Sequence, residues 1–246
     1  MIAAIRSEWI KLSTIRVTWI LAIVAVAFPL VVALLTAALA EDLSGETLAG
    51  VITGTTVVSG MLLGVVASNG ITGEFSHQTI RPTFAAMPDR WRPLLAKPIV
   101  HVGLAAVLTA TVVGVSWVAG RLIAGDSTSE DLEGTGAALI GVVLLAIGLT
   151  LLGYGLGLLI RNTPATICVL LLWPLIAEGL IAGLLTAVGA EGATKWLPYS
   201  AGISMAVVDV GGGDDTLSRV GGGIYFFVWV LAILAFGLYT AKRRDA

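Results

Sequence analysis

A chain of 246 residues that is 57 % hydrophobic and only 12 % charged has too little polar surface to close a soluble fold, which leaves an integral membrane protein. The formal charge of −2 argues neither for nor against a nucleic-acid partner, and the lone Cys168, inside an apolar run, has no disulfide partner and says nothing about redox compartment.

The first sixteen residues carry Ile2, Ile5, Trp9 and Leu12 at helical spacing, with Arg6, Glu8 and Lys11 directed elsewhere. This pattern predicts a short amphipathic helix lying in the membrane interface, with Ile5 and Leu12 in the acyl boundary and Trp9 at headgroup level. Such a helix serves either as a juxtamembrane anchor or as a grip on a partner.

Six nearly uncharged runs follow, at 17–40, 48–72, 98–120, 137–160, 165–189 and 220–241. Each is long enough at about 1.5 Å per residue to cross a hydrocarbon core of roughly 30 Å. The runs are continuous, where barrel strands would alternate apolar and polar residues, so the expected fold is all-α with six transmembrane helices in a single domain, 1–246. Ala38-Leu39-Ala40 resembles a signal-peptide cleavage site. The preceding apolar run is longer than the ~7–15 residues of a secretory signal, so an uncleaved first span is expected.

Basic residues set the orientation. With the N-terminus inside, the cytoplasmic segments hold 11 of the 14 Lys and Arg, and the outer loops only Arg121, Lys195 and Arg219. Both termini are therefore expected in the cytoplasm, with no nucleic-acid partner needed to explain the charges.

Two connections are longer than their spans require. The cytoplasmic segment 73–97 has an apolar side formed by Phe75, Ile80, Phe84 and Met87, is divided by Pro82, Pro88 and Pro93, and carries Arg81, Arg90, Arg92 and Lys97. Its length and mixed surface predict a docking site; the positive-inside rule accounts for the charges but not for the length. On the outer side, Trp196-Leu197-Pro198-Tyr199 and the apolar residues up to Val208 predict a segment, 196–208, that dips back into the membrane edge, with a surface-lying helix as the alternative.

Within the spans, Glu178 sits near the middle of the fifth, beside Pro174, where an ionised carboxylate facing lipid costs several kcal/mol. It is either a substrate or proton contact, or a structural hydrogen-bond partner of a neighbouring helix. Asn69 and His101 fall near cytoplasmic span ends, where water is expected to reach them. Glycines recur at four-residue spacing in Gly50-Gly54, Gly60-Gly64, Gly153-Gly157 and Gly179-Gly183, which predicts close helix packing without locating it.

Enzymatic motifs are lacking. There is no HExxH and no GxSxG, and Gly211-Gly212-Gly213-Asp214 matches the GxGD of intramembrane proteases only in an expected outer loop. None of the four lysines follows a glycine, so the GK of a phosphate-binding loop is missing. Any ATP used must bind another chain.

The order of these features resembles the ABC-2-type transporter permeases: Ser7-Glu8-Trp9-Ile10-Lys11-Leu12 at the start, six spans with both ends inside, Gly73-Glu74-Phe75 with Thr79-Ile80, Pro88, Arg90 and Lys97 between spans two and three, and Trp196-Leu197-Pro198 before the last span. The resemblance implies a non-enzymatic half-transporter of the cytoplasmic membrane, carrying no cofactor itself. Two permease subunits would pair, as a homodimer or heterodimer, each seated on a cytoplasmic ATPase that binds ATP and Mg. It further implies that the loop after span two couples to that ATPase, through Glu74, Phe75, Thr79, Ile80, Arg81, Phe84, Met87 and Arg90. The N-terminal helix would brace this contact and the outer segment would re-enter the membrane. The alternatives are an ATP-independent transporter or channel using Glu178, and a non-transporting scaffold or immunity subunit.

Overall fold

The computed structural model describes residues 1–40, 43–79, 91–125, 134–208 and 216–243. These residues form helices α1 (Ile2–Thr14), α2 (Arg16–Leu39), α3 (Gly45–Ser76), α4 (Trp91–Ala124), α5 (Thr135–Ile160), α6 (Thr163–Leu172), α7 (Glu178–Ala187), α8 (Pro198–Ile203) and α9 (Arg219–Arg243). No strand occurs among them. Six stretches are long and apolar enough to cross a membrane, with α6 and α7 joining into one of them, and they mark the chain as a multi-pass membrane protein.

The helices overrun the apolar runs read from the sequence. α3 extends to Ser76 and α4 begins at Trp91, so Glu74, Phe75 and Lys97, expected in the loop 73–97, are helical. Hydropathy stops at the first charge, whereas a backbone helix continues wherever that charge finds a partner.

α3 and α5 run parallel through the centre. α2 and α4 flank α3, α9 flanks α5, and α6 crosses the groove between α3 and α5. The close approach of the central pair rests on two of the four glycine pairs. A Cβ on Gly60 would stand 2.9 Å from the Ala146 Cα, one on Gly64 would stand 2.8 Å from the Leu149 carbonyl oxygen, and one on Gly153 would overlap the carbonyl of Gly64. Gly64 of α3 and Gly153 of α5 thus meet backbone to backbone, while Gly60 lies against Ala146 and Leu149 and Gly157 against Ile71 and Ser68. Gly50-Gly54 and Gly179-Gly183 meet nothing within 4 Å.

Prolines inside the spans are handled in two ways. A proline in a helix leaves the carbonyl four residues earlier without its amide partner. For Pro29 that carbonyl is Ala25, which accepts from the Ser59 hydroxyl of α3; for Pro98 it is Leu94, which accepts from the buried Tyr154 hydroxyl of α5 at 2.8 Å. Pro174 is absorbed locally. Trp173–Ala177 forms one π turn, in which the Glu178 amide reaches back to the Trp173 carbonyl.

Ile15, in extended conformation, separates α1 from α2. The last turn of α1 is closed by side chains: Ser13 and Thr14 donate to Ile10 and Lys11 carbonyls, and the Trp19 indole donates to the Ser13 carbonyl at 2.8 Å. α1 packs across the start of α4, with Ile5 and Leu12 against Val100 and Leu104. The C-terminal end of α9 arrives at the same end of the bundle, where the Lys242 ammonium lies 5.0 Å from the Trp91 ring.

Candidate functional site

Four charges from three helices meet at this N-terminal end of the bundle. Lys97 of α4 donates to Glu8 Oε2 of α1 at 2.7 Å and to Glu74 Oε1 of α3 at 2.6 Å; Lys11 of α1 donates to Glu8 Oε1 and to Glu74 Oε1, each at 3.0 Å. The result is a closed ring of alternating sign with no net charge. Lys97 is only 2 % exposed and Glu8 is buried, while Lys11 is half-exposed on the rim. Inside a low-dielectric end such a ring holds only because every charge has two opposite neighbours.

Electrostatics at α1 follow from this geometry. Burial works to raise the Glu8 pKa, but Lys97 and Lys11 outweigh it and hold the carboxyl below its ordinary range. For Lys11 burial works downward, and Glu8 with Glu74 more than compensates, so its ammonium is held above the usual lysine value.

Three members of the ring, Glu8, Lys11 and Glu74, line a cleft of about 910 Å³ between α1, the start of α2, the end of α3 and the start of α4. Leu12, Leu21 and Val66 contribute its apolar side; Asn69, Glu74, His77 and Thr79 contribute its polar side. Two acceptors at this wall are buried without a hydrogen-bond partner, Glu74 Oε2 and Asn69 Oδ1. His101 is buried, contrary to the expectation of free access to water. Its Nδ1 lies 2.8 Å from the Lys97 carbonyl one turn earlier, and its ring fits against Gly70 because a Cβ there would stand 2.8 Å from Nε2.

The residues expected to act here are only partly brought together. Glu74 joins the ring, Thr79 lines the cleft, and Phe75 lies 4.5 Å beneath the Arg161 guanidinium of the α5–α6 turn. Ile80, Arg81, Phe84, Met87 and Arg90 lie outside the described residues. On α1 the inward stripe is Ala4, Glu8 and Leu12, while Ile2 and Trp9 are exposed. Glu8, assigned to the polar face from the sequence, in fact points into the bundle. The pattern was available, since Ala4, Glu8 and Leu12 recur at i, i+4 and i+8, and Glu74 and Lys97 stand at facing ends of consecutive helices.

Glu178 belongs to the opposite end. Only 2 % exposed, its carboxylate accepts from the Trp173 indole at 3.0 Å, the Tyr199 amide at 2.8 Å, the Ser200 amide at 3.0 Å and the Ser200 hydroxyl at 3.1 Å. Leu197, at the N-cap of α8, has no side chain able to accept, so Glu178 caps α8 from another helix. Downstream, Gly202 packs on Phe226 and Leu145, and the Met205 backbone meets Gly141. Trp196 meets Tyr225 edge to face at 5.5 Å, and Leu197 and Pro198 form the turn into α8.

No family model matches this chain, and no curated protein matches it either.

Proposed function

We propose that the chain is the permease subunit of an ATP-driven ABC-2-type exporter, set in the cytoplasmic membrane with both termini inside and powered by a separate ATPase. The observation that carries this reading is the ion-pair ring. Glu74 and Lys97 stand at the two helix ends that bracket the 77–90 connection, and both are bonded to α1. A push on that connection by a cytoplasmic partner therefore moves α1, α3 and α4 together, as a rigid element rather than as three loose ends. The excess of basic residues at this end supports its cytoplasmic placement.

The opposite end supports the same reading. Glu178 lies nine residues before the end of α7, roughly 14 Å along the axis at 1.5 Å per residue. The α8 segment it caps thus descends well below the end of the span, as an outer segment re-entering the membrane does. An ATP-independent transporter would ask Glu178 to release its proton or bind cargo; four donors on one carboxylate favour an anchoring role instead.

The test is a mild-detergent pull-down of the tagged chain from its native membrane, with co-purifying proteins identified by mass spectrometry. A stoichiometric P-loop ATPase is expected. Its reproducible absence, with the chain intact and folded, overturns the exporter reading.

A further inference from the structure

Span five is held along only half its length. α6 lies in the groove between α3 and α5, with Thr166 and Leu170 buried, whereas α7, beyond the π turn, has no comparable contact with either helix. Of the six membrane-crossing stretches this one is the least buried. Leu184 of α7 is 66 % exposed, and a Cβ on Gly50 or Gly54 of α3 would meet nothing within 4 Å.

Yet the uncovered parts match. The Thr72 and Thr163 hydroxyls bond at 2.7 Å, and Leu170 sits on Gly64, where an added Cβ would stand 3.0 Å from Leu170 Cδ2. These two contacts fix an antiparallel register. Fourteen residues back along α3 from Gly64 is Gly50, and fourteen forward along the span from Leu170 is Leu184. Fourteen residues are two heptads, which return each helix to nearly the same face. An unbroken α-helix from Thr163 would therefore seat Leu184 on Gly50 as Leu170 is seated on Gly64. The π turn prevents this, because its one extra residue rotates all that follows by about 100°.

Glu178 holds that turn in place. Residues i and i+5 point about 140° apart on an α-helix, but a turn closed by i→i+5 bonding brings them to one side. The 3.0 Å bond from the Trp173 indole to Glu178 thus belongs to the π form, and the same carboxylate is tied to α8 through Tyr199 and Ser200. We infer that α7 is a strap, latched open by the Trp173 bond to Glu178, that closes over Gly50 when Trp173–Ala177 becomes α-helical. The occupant is this chain's own α7, because the bare face of α3 continues the interface that α6 already fills. Nothing in the strap involves the ion-pair ring or an ATPase.

The experiment traps the closed strap as a disulfide in the full chain in nanodiscs, with Cys168→Ser removing the native thiol. Gly50→Cys and Leu184→Cys stand in open space, so neither disturbs packing. Together they should cross-link within one chain. Adding Trp173→Phe, which keeps a ring and removes the indole donor, should speed this about tenfold, the equivalent of one hydrogen bond to a charged group. Gly50→Cys with Leu180→Cys, one turn out of register, should stay slow with or without Trp173→Phe, which separates a latch from general loosening. No cross-link within the chain, an unchanged rate in Trp173→Phe, or equal trapping of the two pairs overturns the strap. A cross-link between chains, seen as a dimer band on a non-reducing gel, gives the face to a second copy and overturns it too.

Discussion

Lys97→Met isolates the work of the ion-pair ring. Each of the two Lys97 contacts, at 2.7 and 2.6 Å, is worth about 6 kcal/mol of gross attraction at an effective dielectric constant of ~20. Desolvation of the nearly buried ammonium cancels much of this, and breaking such a buried pair costs about 3–5 kcal/mol net because the abandoned charges stay buried. After the substitution Glu8 and Glu74 share only the half-exposed Lys11, and their mutual repulsion is unbalanced. The chain relieves this by releasing α1, whose remaining hold is the contact of Ile5 and Leu12 with Val100 and Leu104. Release is read with Ala4→Cys in a Cys168→Ser background, since Ala4 is buried when α1 is docked. A maleimide should leave the parent unlabelled and label the Lys97→Met variant. Adding Glu74→Gln restores neutrality and should restore protection. Protection of Ala4→Cys in Lys97→Met equal to that of the parent would refute the reasoning.

The same label reports pH dependence. Glu8 is held below its ordinary 4.5 and Lys11 above its ordinary 10.5, so Glu8 contributes above 4.5 and its contribution is lost as acid reaches the depressed value, while that of Lys11 is lost only in strong alkali. Docking should be flat from about pH 5 to 10, and a midpoint between 6 and 7 would place control on a histidine instead. Gly153→Leu should prevent or badly distort packing of α3 on α5, whereas Gly183→Leu, in open space, should leave the monomer's thermal midpoint within about 2 °C; similar losses from both would contradict the packing described. Glu178→Ala strips four donors of their acceptor and should destabilise the 196–206 segment by about 2–4 kcal/mol, seen as faster amide exchange at Tyr199 and Ser200; unchanged exchange there would remove the capping role.

Six membrane-crossing helices were legible in the sequence because hydrophobic thickness is a one-dimensional property. Their ends were not, since Glu74 and Lys97 are charges that hydropathy reads as stops and the fold accommodates as partners. The ring was legible only in part: the Ala4, Glu8 and Leu12 stripe can be read along α1, but joining residues 8, 11, 74 and 97 takes tertiary placement to bring three segments to one point. The glycine pairs were visible as motifs but not as mates, because a GxxxG names a smooth face and not what covers it. Glu178 announced itself through the cost of burying a carboxylate, but its partners lie 21 and 22 residues later, on a segment whose path the sequence left open.

The hydroxyls that answer Pro29 and Pro98 bear on how the bundle comes together. Before α3 is in place, α2 carries an unanswered Ala25 carbonyl; before α5 is in place, α4 carries one at Leu94. In hydrocarbon that defect weighs on any solitary helix, and Ser59 and Tyr154 each remove it from the very next membrane-crossing helix. During synthesis, then, the smallest units that can leave the insertion machinery with every backbone group satisfied at these sites are the hairpins α2–α3 and α4–α5, which makes this a protein assembled by twos.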